Sequence, residues 1–340
     1  MTVDELESNL KKGNLSSIYL LYGPETFLLE SNLKKIKKLF GEAVNGINYI
    51  KIDETNINEI IPNLETPAFG FEKKLIIAKN TGLLKKQGKK KNVLLEENIK
   101  KISNYINENI EEIKQTTILV FVEAELEKNI LYKILEKHGQ VCNFEQEKLP
   151  QLIKRIKNIC NSYKVDIDDY TAKYFIETCG TNMQDLINEI RKLIEYVGIN
   201  GAISKKDIDL LCIKQLESII FDLTDNLGNK NVAKSLEVLQ NLLYSKEPIQ
   251  KILITLYNHF KKLYIVKLSE KYNKNLAESL NLKPNQMFLT TKYKNQARYF
   301  SEIELRKILD EFINLDINYK SGKIDLEIGL QSILCRYCSK

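Results

Sequence analysis

The chain has 340 residues, 43% hydrophobic and 28% charged, with a formal net charge of +6. That balance excludes a disordered chain, and the length calls for two or three hydrophobic cores. The absence of any apolar run of about 18 residues, the acids Asp4, Glu5 and Glu7 in a polar start, and six cysteines without a pairing pattern point to a cytoplasmic protein with reduced thiols and no membrane partner.

In chain order, Ile18 to Tyr22 (IYLLY) is a short apolar run closed by Gly23-Pro24, which predicts a buried strand and its turn. Phe27, Leu28, Leu33, Ile36, Leu39 and Phe40 then recur at helical spacing. Tyr49 to Ile52, Leu75 to Ala78, Ile118 to Val122 and Val141 to Phe144 predict further strands. Between them, Ile57, Ile60, Ile61 and Leu64, and later Leu131 and Leu135, mark helices. Wholly apolar strands alternating with helices predict an α/β domain with a parallel sheet over residues 1–145.

Strand signals then stop. Residues 147–160, 168–179 and 182–197 read as three helices, with Gly180 and Gly198 as C-terminal stops. A short fourth segment runs from Ile203 to Leu211 with Ser204 as its N-cap, which completes a small helical domain over 146–212. Residues 213–340 predict an all-α domain of about five helices, broken at Gly228, Pro248, Pro284 and near Gly322. Residues 1–212 hold 31 basic and 31 acidic side chains and residues 213–340 hold 20 and 14, so the whole basic excess lies in the last domain. Such an excess suits a solvated surface or one that lies near nucleic acid.

A strand, a glycine turn and a helix is the setting of a P-loop. Counting from Gly23, the template G-x-x-x-x-G-K-[ST] requires Gly, Lys and Ser or Thr at positions 28–30, and the chain has Leu28, Leu29 and Glu30. The second glycine would let the backbone wrap the phosphates, the lysine would neutralise them and the hydroxyl would ligate Mg²⁺. Two leucines and a carboxylate do none of this, and Pro24 removes a backbone donor. Glu123 and Glu125, after the ILVFV strand, read as the start of a solvated loop and not as a metal-organising pair. His138 and His259 lie in different domains, which argues against histidine catalysis or a His-rich metal site. Cys335 and Cys338 form a lone C-x-x-C and read as small residues on an apolar helix face. No intrinsic catalysis, cofactor or metal is expected.

Several segments taken together carry a resemblance: IYLLYGPETFLLE, ETPAFGFEKKLIIAKN, ILVFVEAELEKNILYKILEKHGQVCNF, CGTNMQDLINEIRKL, FDLTDNLGN, NQARYFS and LDINYKSGKIDLEIGLQ. In this order and spacing they resemble the delta-subunit family of the bacterial DNA polymerase III clamp loader. The resemblance implies an AAA+-like α/β domain without ATPase activity (1–145), a three-helix lid (146–212) and a helical collar that joins the other subunits (213–340). It implies a non-catalytic subunit of the DNA-directed DNA polymerase holoenzyme that binds and opens the sliding clamp (beta subunit) for loading onto primed DNA. The gamma or tau subunits, which bind the ATP, and the delta-prime subunit are the implied partners. Gln184 falls near the position of an active relative's phosphate-sensing arginine.

The family's clamp-binding element is an apolar pair, usually Leu-Phe, on a helix-to-strand connection. Pro67-Ala68-Phe69-Gly70-Phe71 matches it, with Phe69 on the phenylalanine and Ala68 in place of the leucine. Phe71 or Leu64 is expected to supply the missing apolar area. On the residues alone, two aromatics flanking a glycine fit packing beneath the sheet; the resemblance implies exposure for Phe69. The lysine run Lys85 to Lys91, with Lys89, Lys90 and Lys91 at its end, is a candidate DNA contact or a solvated loop. The alternative functions are a divergent AAA+ ATPase and a stand-alone DNA-binding protein.

Overall fold

The computed structural model describes residues 1–85, 92–244 and 247–338. Its contacts divide into two compact units, Met1–Gln146 and Glu147–Lys340. In the first, the order is α1 (Val3–Lys11), β1 (Ile18–Tyr22), α2 (Thr26–Phe40), β2 (Tyr49–Ile52), α3 (Ile60–Glu65), β3 (Lys74–Lys79), α4 (Val93–Glu108), α5 (Ile110–Thr116), β4 (Thr117–Glu123), α6 (Ile130–His138) and β5 (Gln140–Asn143).

The five strands form one parallel sheet in the order β2-β3-β4-β1-β5. Register pairs Ile18 with Leu119 and Leu20 with Phe121 at the centre, where both strands are buried along almost their whole length. A strand covered on both faces needs apolar residues at every position, which is why IYLLY and ILVFV read as continuous runs. Ile99, Ile102 and Ile106 of α4 and Leu131 and Leu135 of α6 join Ile18, Leu20, Ile76 and Phe121 in one core.

Three helices of this unit gave no usable sequence signal. In α1, only Leu6 and Leu10 are buried, and Thr2 and Glu5 close it with a reciprocal capping box. The helices α4 and α5 lie in the polar stretch after the lysine run, where four buried isoleucines (Ile99, Ile102, Ile106 and Ile113) are diluted by charge.

The second unit is helical: α7 (Leu149–Ser162), α8 (Asp169–Cys179), α9 (Met183–Val197), α10 (Lys205–Leu211), α11 (Leu216–Gly228), α12 (Val232–Tyr244), α13 (Ile249–Lys271), α14 (Leu276–Ser279), α15 (Leu289–Ala297), α16 (Glu302–Lys320) and α17 (Leu326–Cys338). Gly180 and Gly198 end α8 and α9 with φ of +83° and +71°, as their sequence positions predict. Among the described residues seven helices follow Cys212 where about five were expected. The extra breaks, after Lys271 and after Ala297, use neither proline nor glycine: Asn273 takes φ +49°, and Ser301 starts α16 through a capping box with Glu304. Within this unit α8 and the turn after it meet the later segments directly, through Lys292 of α15 with Glu177 of α8 at 2.8 Å and a hydrogen bond from Asn285, ahead of α15, to the Thr181 hydroxyl at 2.9 Å. No helix among the described residues is long and apolar enough to cross a membrane.

Candidate functional site

Ligands of open parallel sheets bind at the carboxyl ends of the strands. Here the Gly23 turn, Glu123 and Asn143 gather at that end. The Gly23 N–H donates to the Glu123 carbonyl at 3.3 Å and the Glu25 N–H donates to the Phe144 carbonyl at 2.9 Å. Pro24, between them, has no N–H. A phosphate cradle needs convergent free N–H groups, and this turn has spent its donors on the two neighbouring strand ends. Gly23 has φ +126°, and a Cβ there would stand 2.5 Å from the Phe144 carbonyl oxygen. The glycine is therefore required by the close approach of the chain leaving β5, a role independent of any phosphate.

Leu28 and Leu29 are buried in the first turns of α2, where a P-loop would place its glycine and lysine. Glu30 is half-exposed and paired with Lys79 at the end of β3. A cavity of about 560 Å³ lies beside this pair. Lys37, Lys51 and Lys79 line it together with Glu30, Asp53 and Glu54. Three cations and three carboxylates cancel, so the cavity lacks the one-signed field that gathers phosphates.

Glu123 corrects the sequence reading. It is 4% exposed, not part of a solvated loop, and its Oε1 accepts from the Thr81 N–H at 2.9 Å and the Thr81 hydroxyl at 2.6 Å. Burial raises its pKa above the usual carboxylate value, with the Thr81 bonds opposing. The carboxylate fastens the chain after β3 to the end of β4, which leaves it engaged within the sheet. Glu125 is exposed, as expected.

The expected clamp-binding residues divide sharply. Phe69 is 85% exposed. The Phe71 N–H donates to the Ala68 carbonyl at 3.0 Å, and Gly70 has φ +78° while Phe69 does not. That is a type II turn with Phe69 at its first corner and glycine at the position that demands positive φ. No atom would meet a Cβ on Gly70, so the requirement is one of backbone conformation alone. Ala68 and Phe71 are half-buried. Leu64 is 5% exposed and packs in the core with Ile60, so it has no area to offer a partner; the expectation placed on it is not met. Its α3 position faces the sheet because Ile60 and Leu64 share one helical side.

Lys89, Lys90 and Lys91 lie outside the described residues. Cys335 is half-buried on α17. Gln184 lies on the first turn of α9 and donates to Asn188 at 3.1 Å. Among the described residues one group of metal-type side chains gathers, Cys179, Glu189 and Cys212, with ligand atoms within 4.8 Å of one another. The Glu189 carboxylate already holds the Ile213 N–H at 3.0 Å and the Lys192 ammonium at 2.7 Å. The neighbouring Cys212 and burial both raise the Cys179 pKa. This cluster ties α9 to the segment that enters α11.

A parallel-sheet α/β head whose first strand-to-helix turn is closed by its own backbone, followed by a mostly helical remainder among the described residues, defines the class. Comparison with known proteins then narrows it. Residues 19–145 match the family described as DNA polymerase III, delta subunit, and residues 217–337 match its C-terminal domain. The chain is 26% identical over 340 residues to DNA polymerase III subunit delta of Bacillus subtilis (strain 168), covering 98% of this chain and 96% of that one. It is 27% identical to the probable delta subunit of Aquifex aeolicus (strain VF5), covering 88% and 85%. The structure of the Bacillus subtilis DNA clamp loader delta protein superposes with a TM-score of 0.76 at 25% identity, covering 99% of this chain and all of that one. The chain belongs to the DNA polymerase III delta-subunit family.

Proposed function

We propose that this chain binds the sliding clamp through the Phe69 loop and opens it for loading onto primed DNA, and that it hydrolyses no ATP itself. The observation that carries the reading is Phe69, a large aromatic left 85% exposed at the corner of a tight turn. An apolar side chain held in water at a turn corner suits insertion into a partner's pocket, and aromatic anchors of this kind dominate interface energetics. The closed Gly23 turn and the buried Leu28 and Leu29 support the absence of catalysis. In this reading residues 1–145 are the AAA+-like clamp-binding head, 146–212 the lid and 213–340 the collar that meets the gamma or tau and delta-prime subunits.

Opening a ring requires no covalent step. A loop that binds the open clamp more tightly than the closed one shifts the ring toward open by that difference in affinity alone. Titration of the isolated chain with a fluorescent ATP analogue tests the nucleotide half of the proposal. No saturable binding is expected at micromolar concentrations. Saturable binding would favour the divergent ATPase.

A further inference from the structure

Lysine is rarely buried, yet Lys74 opens β3 with 3% exposure. Its ammonium has three donors, and each has an oxygen in reach: the Asn63 carbonyl at 2.9 Å, the Thr66 carbonyl at 2.7 Å and the Thr66 hydroxyl at 3.0 Å. All three acceptors are neutral, and burial lowers the Lys74 pKa. Thr66 is itself fixed, since its N–H and hydroxyl both donate to the Pro62 carbonyl, at 3.1 and 2.9 Å. The side chain thus collects carbonyls at the C-terminal end of α3, where a cation is favoured by the helix dipole.

Thr66 and Lys74 are also the two ends of the segment that presents Phe69. We propose that Lys74 is the positioning residue of the Phe69 loop: its ammonium staples the loop's two ends and holds Phe69 ready for the clamp pocket. The inference rests on the reading of Phe69 as the clamp anchor. Residues 67–73 lie between the stapled ends, and the Ala68–Phe71 turn lies within them. Lys73, next to the staple, donates to the Lys114 carbonyl at 3.3 Å and adds a second tie toward the end of α5. A loop already ordered in its binding conformation loses less freedom on association. Ala68, in place of a second large apolar anchor, makes that saving more important for this chain.

The role can be separated from mere stability. Lys74→Met keeps the length of the side chain and abandons the three oxygens. It is expected to weaken clamp binding about tenfold, and Lys74→Arg to recover part of the loss. A core variant, Ile102→Val, chosen for a similar fall in melting temperature, is expected to keep wild-type clamp affinity. A nitroxide on Phe69→Cys reads loop order without any clamp; its spectrum is expected to sharpen toward a mobile label when Lys74→Met is added. If Lys74→Met does not fold, Thr66→Val removes the hydroxyl arm of the staple and is expected to shift both readouts in the same direction by less. Unchanged label mobility in the folded variant, or an affinity loss matched by Ile102→Val, overturns the proposal. Failure of the wild-type chain to bind the clamp would instead sink the reading of Phe69, while the label still reports whether Lys74 orders the loop.

Discussion

Phe69→Ala is expected to weaken binding to the sliding clamp by about 2–4 kcal/mol, roughly 30- to 900-fold in Kd. Truncating a central aromatic anchor costs that much because the partner's pocket is left unfilled. The same change should leave the fold untouched, since the ring makes no contribution to the core of the first unit and is 85% exposed. It should also leave assembly with the other clamp-loader subunits intact, because the proposed collar lies in residues 213–340. Surface binding with immobilised clamp measures the first effect, and size exclusion with the partner subunits measures the second. Undiminished clamp capture by the variant would move the anchor elsewhere.

The second large effect concerns acid. His259 is buried on α13 between Phe221 and Tyr293, with ring centroids 4.6 and 5.2 Å away. Its Nε2 lies 2.8 Å from Gln296 Oε1, while the Gln296 amide nitrogen donates to the Phe221 carbonyl and to Asp225, both at 2.8 Å. Those two acceptors orient the amide, so the histidine must donate, and it is held as the neutral Nε2–H tautomer. Burial pushes its pKa down from 6.5 to about 3. The unfolded chain therefore takes up a proton below pH 6.5 that the folded chain refuses. Stability contributed by the neutral ring is fully present above 6.5 and falls as pH drops toward 3. The slope is about 1.4 kcal/mol per pH unit, or about 2–3 kcal/mol between pH 7 and pH 4.5. His259→Gln should remove this part of the acid sensitivity. Denaturant titrations of both proteins at the two pH values read the difference directly, and equal pH dependence would contradict it.

The sheet was legible because its strands are buried on both faces, so IYLLY, LIIA and ILVFV announce themselves without periodicity. The departure from the P-loop template was legible as well, since three chemical roles fail at Leu28, Leu29 and Glu30. What the sequence could not supply was how neighbouring backbone closes the turn. The bonds from Gly23 to Glu123 and from Glu25 to Phe144 join residues far apart in the chain. Glu123 was misread for the same reason: its partner, Thr81, lies 42 residues away and carries no motif. Leu64 was misread because an apolar residue near a functional loop can face either way, and its helix turns it toward the sheet. Phe69 was the reverse case. Its residues alone suggested burial, and only the resemblance placed it in water, where the structure has it. Lys74 was invisible beforehand, for in EKKLIIA it looks like the polar edge of a strand.

In the proposed function this chain opens the clamp by binding energy alone, with an apolar anchor and no nucleotide of its own. Fluorophores placed on either side of the clamp's subunit interface measure this most directly, with the chain added in nucleotide-free buffer. The wild-type chain is expected to separate the pair in a saturable titration, and Phe69→Ala to require far higher concentrations for the same change. A clamp that stays closed at saturating wild-type chain, or that opens only when ATP is bound to this chain, would contradict it.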